Sequence, residues 1–356
     1  MFNPIWYRYS LIRIVLLLTC LLLTAACQPL IPTVAPIASP TRVILSNNLN
    51  WPEAWRMHIS ASHGQIPMAA VEQGKLILPQ GNERDINLTG LDIQTGQRIW
   101  QQKEISAYGG VDSLIADNER VYLSMPFEVR AFRAFDGKSL WTTEGLRAHT
   151  GYTLLPPTND HEMQVVSGYF RDGVVIYNIN VTDGTIQATT VYTLMPKLQT
   201  DLATYYADNM FNLLAVDNRT RETLWQTRVG PLGGLQLVDA KELIVLSGPF
   251  LKSLSGLDPR TGKELWHTSE QNIASNFVVI GNTIYAISKD AALVAYDAFT
   301  GREVGRIVFS GGSLDIDHAA QYWLIASDSK VSIYFGDSQE LIAFDLPPFD
   351  GAEVKP

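Results

Sequence analysis

The stretch Leu91-Asp92-Ile93-Gln94-Thr95-Gly96-Gln97-Arg98-Ile99-Trp100 returns in pattern as Leu257-Asp258-Pro259-Arg260-Thr261-Gly262-Lys263-Glu264-Leu265-Trp266. The tryptophans around it keep time. Trp55, Trp100, Trp141, Trp225 and Trp266 stand 45, 41, 84 and 41 residues apart, and the 84 is a double step with a degenerate copy inside it. A period in this range marks a solenoid or a propeller.

Aligning on the position eight residues before each tryptophan gives Asp92, Arg133, Asn180, Asp217, Asp258, Asp297 and Asp345. Four residues later come Gly96, Gly137, Gly184, Arg221, Gly262 and Gly301, and the tryptophan position holds Trp100, Trp141, Ala188, Trp225, Trp266 and Gly305. The first half of the phrase thus occurs seven times and the second half follows it six times. A lone second half, Ala54-Trp55-Arg56-Met57-His58-Ile59, precedes the first copy. The two incomplete ends complete each other, so a strand near the N-terminus closes the last unit and the ring with it.

Each unit has a physical logic. Runs such as Leu76-Ile77-Leu78, Val121-Tyr122-Leu123 and Thr283-Ile284-Tyr285-Ala286-Ile287 favour strands. Asp or Asn at the head of the phrase accepts hydrogen bonds from the turn's own amides. Glycine supplies the positive φ of a tight hairpin with a bulge. Tryptophan opens the next strand and is large enough to wedge between neighbouring sheets. A four-stranded sheet cannot bury both faces alone, so copies stack, and closing the ring leaves no end sheet exposed. About 300 residues over seven units give about 42 per unit, enough for four short strands. The expectation is an all-β, seven-bladed β-propeller over 51–346, built of four-stranded antiparallel blades, with 347–356 as a C-terminal tail.

The phrase Asp-x-x-Thr-Gly-x-x-x-Trp resembles the repeat of the quinoprotein-type propellers, the PQQ-like repeat family. With the N-terminal segment described next, the chain is also similar to the propeller lipoproteins of the bacterial outer-membrane barrel-assembly machine. That likeness implies a protein-binding scaffold with eight repeats, against seven counted here. The quinoprotein enzymes, also of eight blades, use a vicinal disulfide over the quinone. This chain has only Cys20 and Cys27, both ahead of the propeller, so that pocket has no counterpart and no cofactor is expected.

Residues 1–26 read as a lipoprotein signal peptide. Arg8 and Arg13 precede an apolar run from Ile14 to Leu23, then Thr24-Ala25-Ala26-Cys27. These last residues resemble a lipobox, which implies lipidation of Cys27 and a place on the extracytoplasmic side of the envelope. That means the outer membrane in a source with two membranes and the outer face of the cell membrane otherwise. Pro29, Pro32, Pro36 and Pro40 bias 27–50 toward an extended tether. Past the signal the chain carries 25 basic against 36 acidic side chains, a net of −11. Such a balance disfavours nucleic acid as a partner.

The propeller shows little chemistry in its sequence. His58, His63, His149, His161, His267 and His318 form no metal-spaced pair. Neither Asp117-Asn118-Glu119 nor Asp315-Ile316-Asp317-His318 matches a calcium loop. No phosphate loop, nucleophile elbow or paired catalytic carboxylates appear, so no catalytic residue and no metal site is expected. Trp55, Trp100, Trp141, Trp225 and Trp266 read as interblade wedges. The aromatics outside the repeat register, among them Tyr152, Tyr169, Phe170 and Trp323, are of more interest for binding. The best of them are Tyr205, Tyr206 and Phe211, in the shortest repeat, taken as a candidate binding face. The reading is a monomeric, non-catalytic scaffold for an envelope protein. The alternatives are a receptor for a small molecule or polysaccharide, and a quinone-dependent dehydrogenase.

Overall fold

Runs of Val, Ile, Leu and Tyr, each stopped by a turn, become 29 strands among the described residues of the computed structural model. The described residues are 44–46, 53–59, 69–81, 85–106, 110–117, 119–146, 151–157, 161–167, 173–192, 194–208, 210–238, 242–247, 253–268, 273–310, 322–327, 330–336 and 339–346. The signal peptide, Cys27, Tyr169, Phe170 and the tail 347–356 lie outside them.

In chain order, β1 (Ile44–Ser46) and β2 (Glu53–His58) precede the first full blade. Blade 1 is β3 (Ala70–Glu72), β4 (Lys75–Gly81), β5 (Asp85–Asp92) and β6 (Arg98–Ser106). Blade 2 is β7 (Ser113–Asp117), β8 (Arg120–Met125), β9 (Glu128–Arg133) and β10 (Ser139–Thr142). Blade 3 is β11 (Tyr152–Leu155), β12 (Glu162–Ser167), β13 (Val174–Asn180) and β14 (Ile186–Tyr192). Blade 4 is β15 (Met195–Gln199), β16 (Ala203–Ala207), β17 (Asn212–Asp217) and β18 (Thr223–Arg228). Blade 5 is β19 (Leu232–Val238), β20 (Glu242–Ser247), β21 (Ser253–Leu257) and β22 (Glu264–His267). Blade 6 is β23 (Ile273–Ile280), β24 (Thr283–Ser288), β25 (Ala292–Asp297) and β26 (Glu303–Ser310), and blade 7 is β27 (Tyr322–Ala326), β28 (Lys330–Phe335) and β29 (Glu340–Asp345).

Every blade is an antiparallel meander, and the fourth strand of blade 7 is β2. Trp55 of β2 lies opposite Ala343 of β29, so the N-terminal strand closes the ring as its repeat register requires. The molecule is a seven-bladed β-propeller of four-stranded antiparallel blades. One strand exceeds the repeat. Within the stretch read as tether, the backbone of Ile44–Ser46 pairs antiparallel with Val308–Ser310 and makes blade 6 five-stranded.

The core lies between blades, as stacked sheets demand. Among the described residues seven apolar clusters occur, one for each junction. They are unequal. The junction of blades 6 and 7 buries twelve residues, among them Ile307, Phe335 and Phe344. The junction of blades 3 and 4 buries four, Leu155, Val166, Val174 and Ile176, with Met195 packed against them.

Candidate functional site

The repeat turn is built from its own side chains. Asp92 Oδ1 accepts the Gln94 and Thr95 amides at 2.9 and 2.8 Å. Asp217 accepts Arg219 and Thr220 at 2.8 and 2.7 Å, Asp258 accepts Arg260 and Thr261 at 2.7 and 3.1 Å, and Asp297 accepts Phe299 and Thr300 at 3.1 and 2.9 Å. These amide donors favour the carboxylate form and lower the pKa of Asp92 and Asp217. Blade 2 reaches the same turn by another route. Arg133 holds the head position and its guanidinium pairs with Asp136, whose pKa falls to about 2. In blade 7, Asp345 pairs with the ammonium of Lys330, a residue only 5 % exposed.

The fifth residue of the turn sits against the tryptophan of the preceding blade. A Cβ added to Gly96 would stand 2.7 Å from the Trp55 ring, and one on Gly184 2.5 Å from Trp141. Gly137 and Trp100, Gly262 and Trp225, and Gly301 and Trp266 repeat the contact. These glycines have φ between 65° and 72°, apart from Gly184 at 76°. Each indole also reaches a backbone carbonyl. Trp55 Nε1 donates to Ile93 O at 2.8 Å, Trp100 to Ala134 O at 2.9 Å and Trp141 to Val181 O at 2.9 Å. Trp225 donates to Pro259 O at 2.8 Å and Trp266 to Ala298 O at 3.1 Å. Across the strand pair from each tryptophan stands a residue with almost no side chain: Ala343, Gly90, Ala131, Ala215 and Gly256.

Two junctions lack the wedge. Between blades 6 and 7, Gly305 lies opposite Ala295, and twelve buried apolar residues pack across the junction among the described residues. Between blades 3 and 4, Ala188 is exposed and lies opposite Asn178. The turn residue that would meet an indole is Arg221, a non-glycine at φ 65°. With no ring above it, this position accommodates a Cβ that the five wedged junctions exclude. The three substitutions are thus one structural change, and a polar cleft of about 400 Å³ results.

Blade 3 contributes Glu162, Gln164, Ile176, Asn178 and Thr190 to the cleft; blade 4 contributes Gln199, Thr200, Asp201, Thr204, Tyr206, Asn218 and Arg221. Part of the wall is fixed internally. Thr204 Oγ1 donates to Asn218 Oδ1 at 2.7 Å, and Asn218 Nδ2 donates to Thr200 O at 2.7 Å. Thr200 Oγ1 donates to Ala203 O at 2.9 Å. On the neighbouring inner strand, the Lys197 ammonium contacts Met195 Sδ at 3.2 Å, and burial lowers its pKa.

The structure divides the proposed aromatic face. Tyr205 is 3 % exposed and packs at 5.9 Å between ring centroids against Trp225, inside the junction of blades 4 and 5. It does not belong to a binding surface. Tyr206, its neighbour on the strand, points the other way and lines the cleft. Phe211 is 46 % exposed at the turn between β16 and β17, beside Met210 at 75 %. Phe127, 59 % exposed, holds the equivalent turn of blade 2, between β8 and β9. Antiparallel order puts these tips on one end of the ring and the cleft's turns, 199–203 and 217–222, on the other. Of the other aromatics, Tyr152 is fully buried. Asn178 and Phe127 went unread in the sequence, and Arg221 stood there only as a departure from the glycine position. The signal for Asn178 was available: two residues before each head position stand Gly90, Ala131, Asn178, Ala215, Gly256, Ala295 and Ala343, and only Asn178 is large.

Among the described residues, no group of three or more His, Cys, Asp or Glu is placed to hold a metal ion, and no helix is long and apolar enough to cross a membrane.

Blades, turn phrase and wedges together define a propeller of the PQQ-like repeat class. Residues 84–191 and 251–347 match the family described as outer membrane protein assembly factor BamB, and the chain belongs to that family. Among solved structures, BamB from Moraxella catarrhalis is 13 % identical over 83 % of this chain and 100 % of its own, with a TM-score of 0.53. The β-propeller domain of Myceliophteria thermophila Cps50 (Swd1) is 13 % identical, with 83 % and 100 % covered and a TM-score of 0.63. Chaetomium thermophilum Raptor is also 13 % identical with a TM-score of 0.63, covering 83 % of this chain and 29 % of its own. At such identities the likeness is one of fold. No curated protein matches the chain.

Proposed function

We propose that this chain is a non-catalytic, lipid-anchored propeller that scaffolds protein assembly on the extracytoplasmic side of a bacterial envelope. Membership of the assembly-factor family carries the reading. The lipobox-like segment ending at Cys27 supports the anchor, and the proline-rich stretch after it supports a ring held off the membrane. The partner is an envelope protein, and the surface offered to it is the end of the ring bearing Phe127, Met210 and Phe211. Apolar side chains exposed at hairpin tips lose the most water when covered, so they serve as anchors in an interface. The site residues act here as architecture: the five wedge tryptophans and the turn residues hold the blades that present these tips.

Crosslinking in native cells, followed by affinity purification of the full-length protein and mass spectrometry, tests this. A fixed envelope complex in stoichiometric amount is the expected result. Phe127→Ala/Met210→Ala/Phe211→Ala should release it while leaving the melting temperature unchanged. Recovery of the chain alone, with lipid still on Cys27, rejects the scaffold.

A further inference from the structure

The cleft between blades 3 and 4 lies on the opposite end of the ring from the apolar tips, and a protein-docking role for those tips leaves it unused. Its blade 4 wall falls within 192–250, between the two stretches that match the family. Its chemistry is specific. The side chains of Gln164, Asn178, Thr190, Gln199 and Arg221 line it without a hydrogen-bond or ion-pair partner among the described residues. Around them, Asn218, Thr204 and Thr200 are already bonded to one another and to backbone, so the wall is set before any ligand arrives. A cluster of uncommitted amides beside a pre-bonded framework is what a polar ligand site requires.

We propose that this cleft binds a neutral saccharide. Each carboxamide carries a donor and an acceptor, and a threonine hydroxyl carries both on one atom. A sugar hydroxyl also donates and accepts, so a pyranose satisfies such a lining group by group. Other ligand classes fit worse. Among the described residues, Arg221 is the one cation lining the cleft, against the carboxylates of Glu162 and Asp201, which repels phosphates and polyanions. Ile176 and Tyr206 supply little apolar wall, so an apolar ligand would leave the amides unpaired. The cavity of about 400 Å³ suits one or two pyranose rings. The site exists because the wedge is missing: an indole on residue 188 would occupy this space. This inference does not rest on the scaffold reading, and the two are tested by separate measurements.

Saturation-transfer NMR on the full chain in a non-glycosidic detergent, with maltotriose, cellotriose and chitotriose as probes, is the test. Saturable transfer from at least one trisaccharide below about 10 mM is expected. Asn178→Ala/Gln199→Ala should weaken it at least about tenfold, the effect of losing two hydrogen-bonding groups. Asn178→Ala/Ala188→Trp/Arg221→Gly, which rebuilds the wedge, should abolish it without lowering the melting temperature. If the rebuilt chain fails to fold, Gln164→Leu/Gln199→Leu supplies the same test with the backbone untouched. Absence of saturable binding for all three sugars overturns the proposal. So does binding undiminished in the variants, and so does binding of glucuronate or inorganic phosphate in place of the neutral probes.

Discussion

The ring lost its tryptophan at two junctions, and the two went different ways. Between blades 6 and 7, glycine stands at the indole position, and the described residues include a buried apolar cluster of twelve with Ile307, Phe335 and Phe344 among them, as large as those of two wedged junctions. Between blades 3 and 4, alanine stands there, the buried apolar cluster has four members among the described residues, and the cleft is lined by amides, threonines and an arginine. Loss of a repeat residue therefore does not mark a site. What marks one is the chemistry that moves in, and whether its polar atoms are left uncommitted. At the first junction the Asn276 side chain of blade 6 is bonded to the backbone of Leu324 in blade 7, and the Lys330 ammonium is paired with Asp345. At the second, five lining side chains have no such partner among the described residues.

The largest test of this contrast removes a wedge where one still exists. Trp225→Ala deletes a buried ring and leaves Pro259 O without its indole donor. It should cost about 3–5 kcal/mol in denaturant unfolding. Ala188→Ser, at the equivalent position of blade 3, is exposed and should change stability by less than about 0.5 kcal/mol. Equal effects from the two would mean that the tryptophans are not wedges. Next comes the turn. Gly184→Ala places a methyl 2.5 Å from the Trp141 ring at φ 76° and should cost about 2–4 kcal/mol. Arg221→Gly relieves a left-handed non-glycine residue with no ring above it, and should leave stability within about 1 kcal/mol of wild type or raise it. Thermal melts of the pair read the sign directly.

How far the sequence could be read depends on the period. A residue that recurs is seen seven times, and its role is averaged over copies. Blade number, strand order, the turn and the closing strand all follow from that, because closure needs only the count of half-repeats. A site is a departure from the period and is seen once. Ala188 and Arg221 were visible as departures, but their meaning required knowing what each glycine touches. Tyr205 and Tyr206 illustrate a second limit. Successive residues of a strand face opposite ways, so the pair never formed one surface. The strand at Ile44–Ser46 was hidden for a simpler reason: three residues after a proline-rich run carry too little pattern to read.

A constructive test is smaller in energy and sharper in meaning. Asn178→Ala/Ala188→Trp/Arg221→Gly copies the residues that the other wedged junctions use. If the blades stand at the same spacing here, the indole fills the cleft and stability rises by about 1–3 kcal/mol through apolar burial. A fall in stability would mean that the blades have moved apart or together, so the cleft would be a property of backbone spacing and not of three side chains.

The smallest effect concerns acid, and it asks whether the cleft's turn is otherwise ordinary. Asp217 heads the turn that carries Arg221, and Asp92 heads an intact one; amide hydrogen bonds lower the pKa of both. A folded-state pKa below the unfolded one stabilises the fold at pH above the unfolded value, near 3.8. That contribution is lost as pH falls through the folded value. Asp136, lowered to about 2 mainly by the Arg133 guanidinium, sets the lower end of the window. Melting temperature should therefore decline as pH drops from about 4 toward about 2. These carboxylates are exposed, so solvent screens them and each contributes little. The informative readout is residue by residue, from carboxyl NMR titration. Asp217 and Asp92 should both titrate below the ordinary aspartate range, which would place the change at this junction in the ring space alone. An Asp217 that titrates at the ordinary value would mean that the turn has rearranged around Arg221, and the cleft with it.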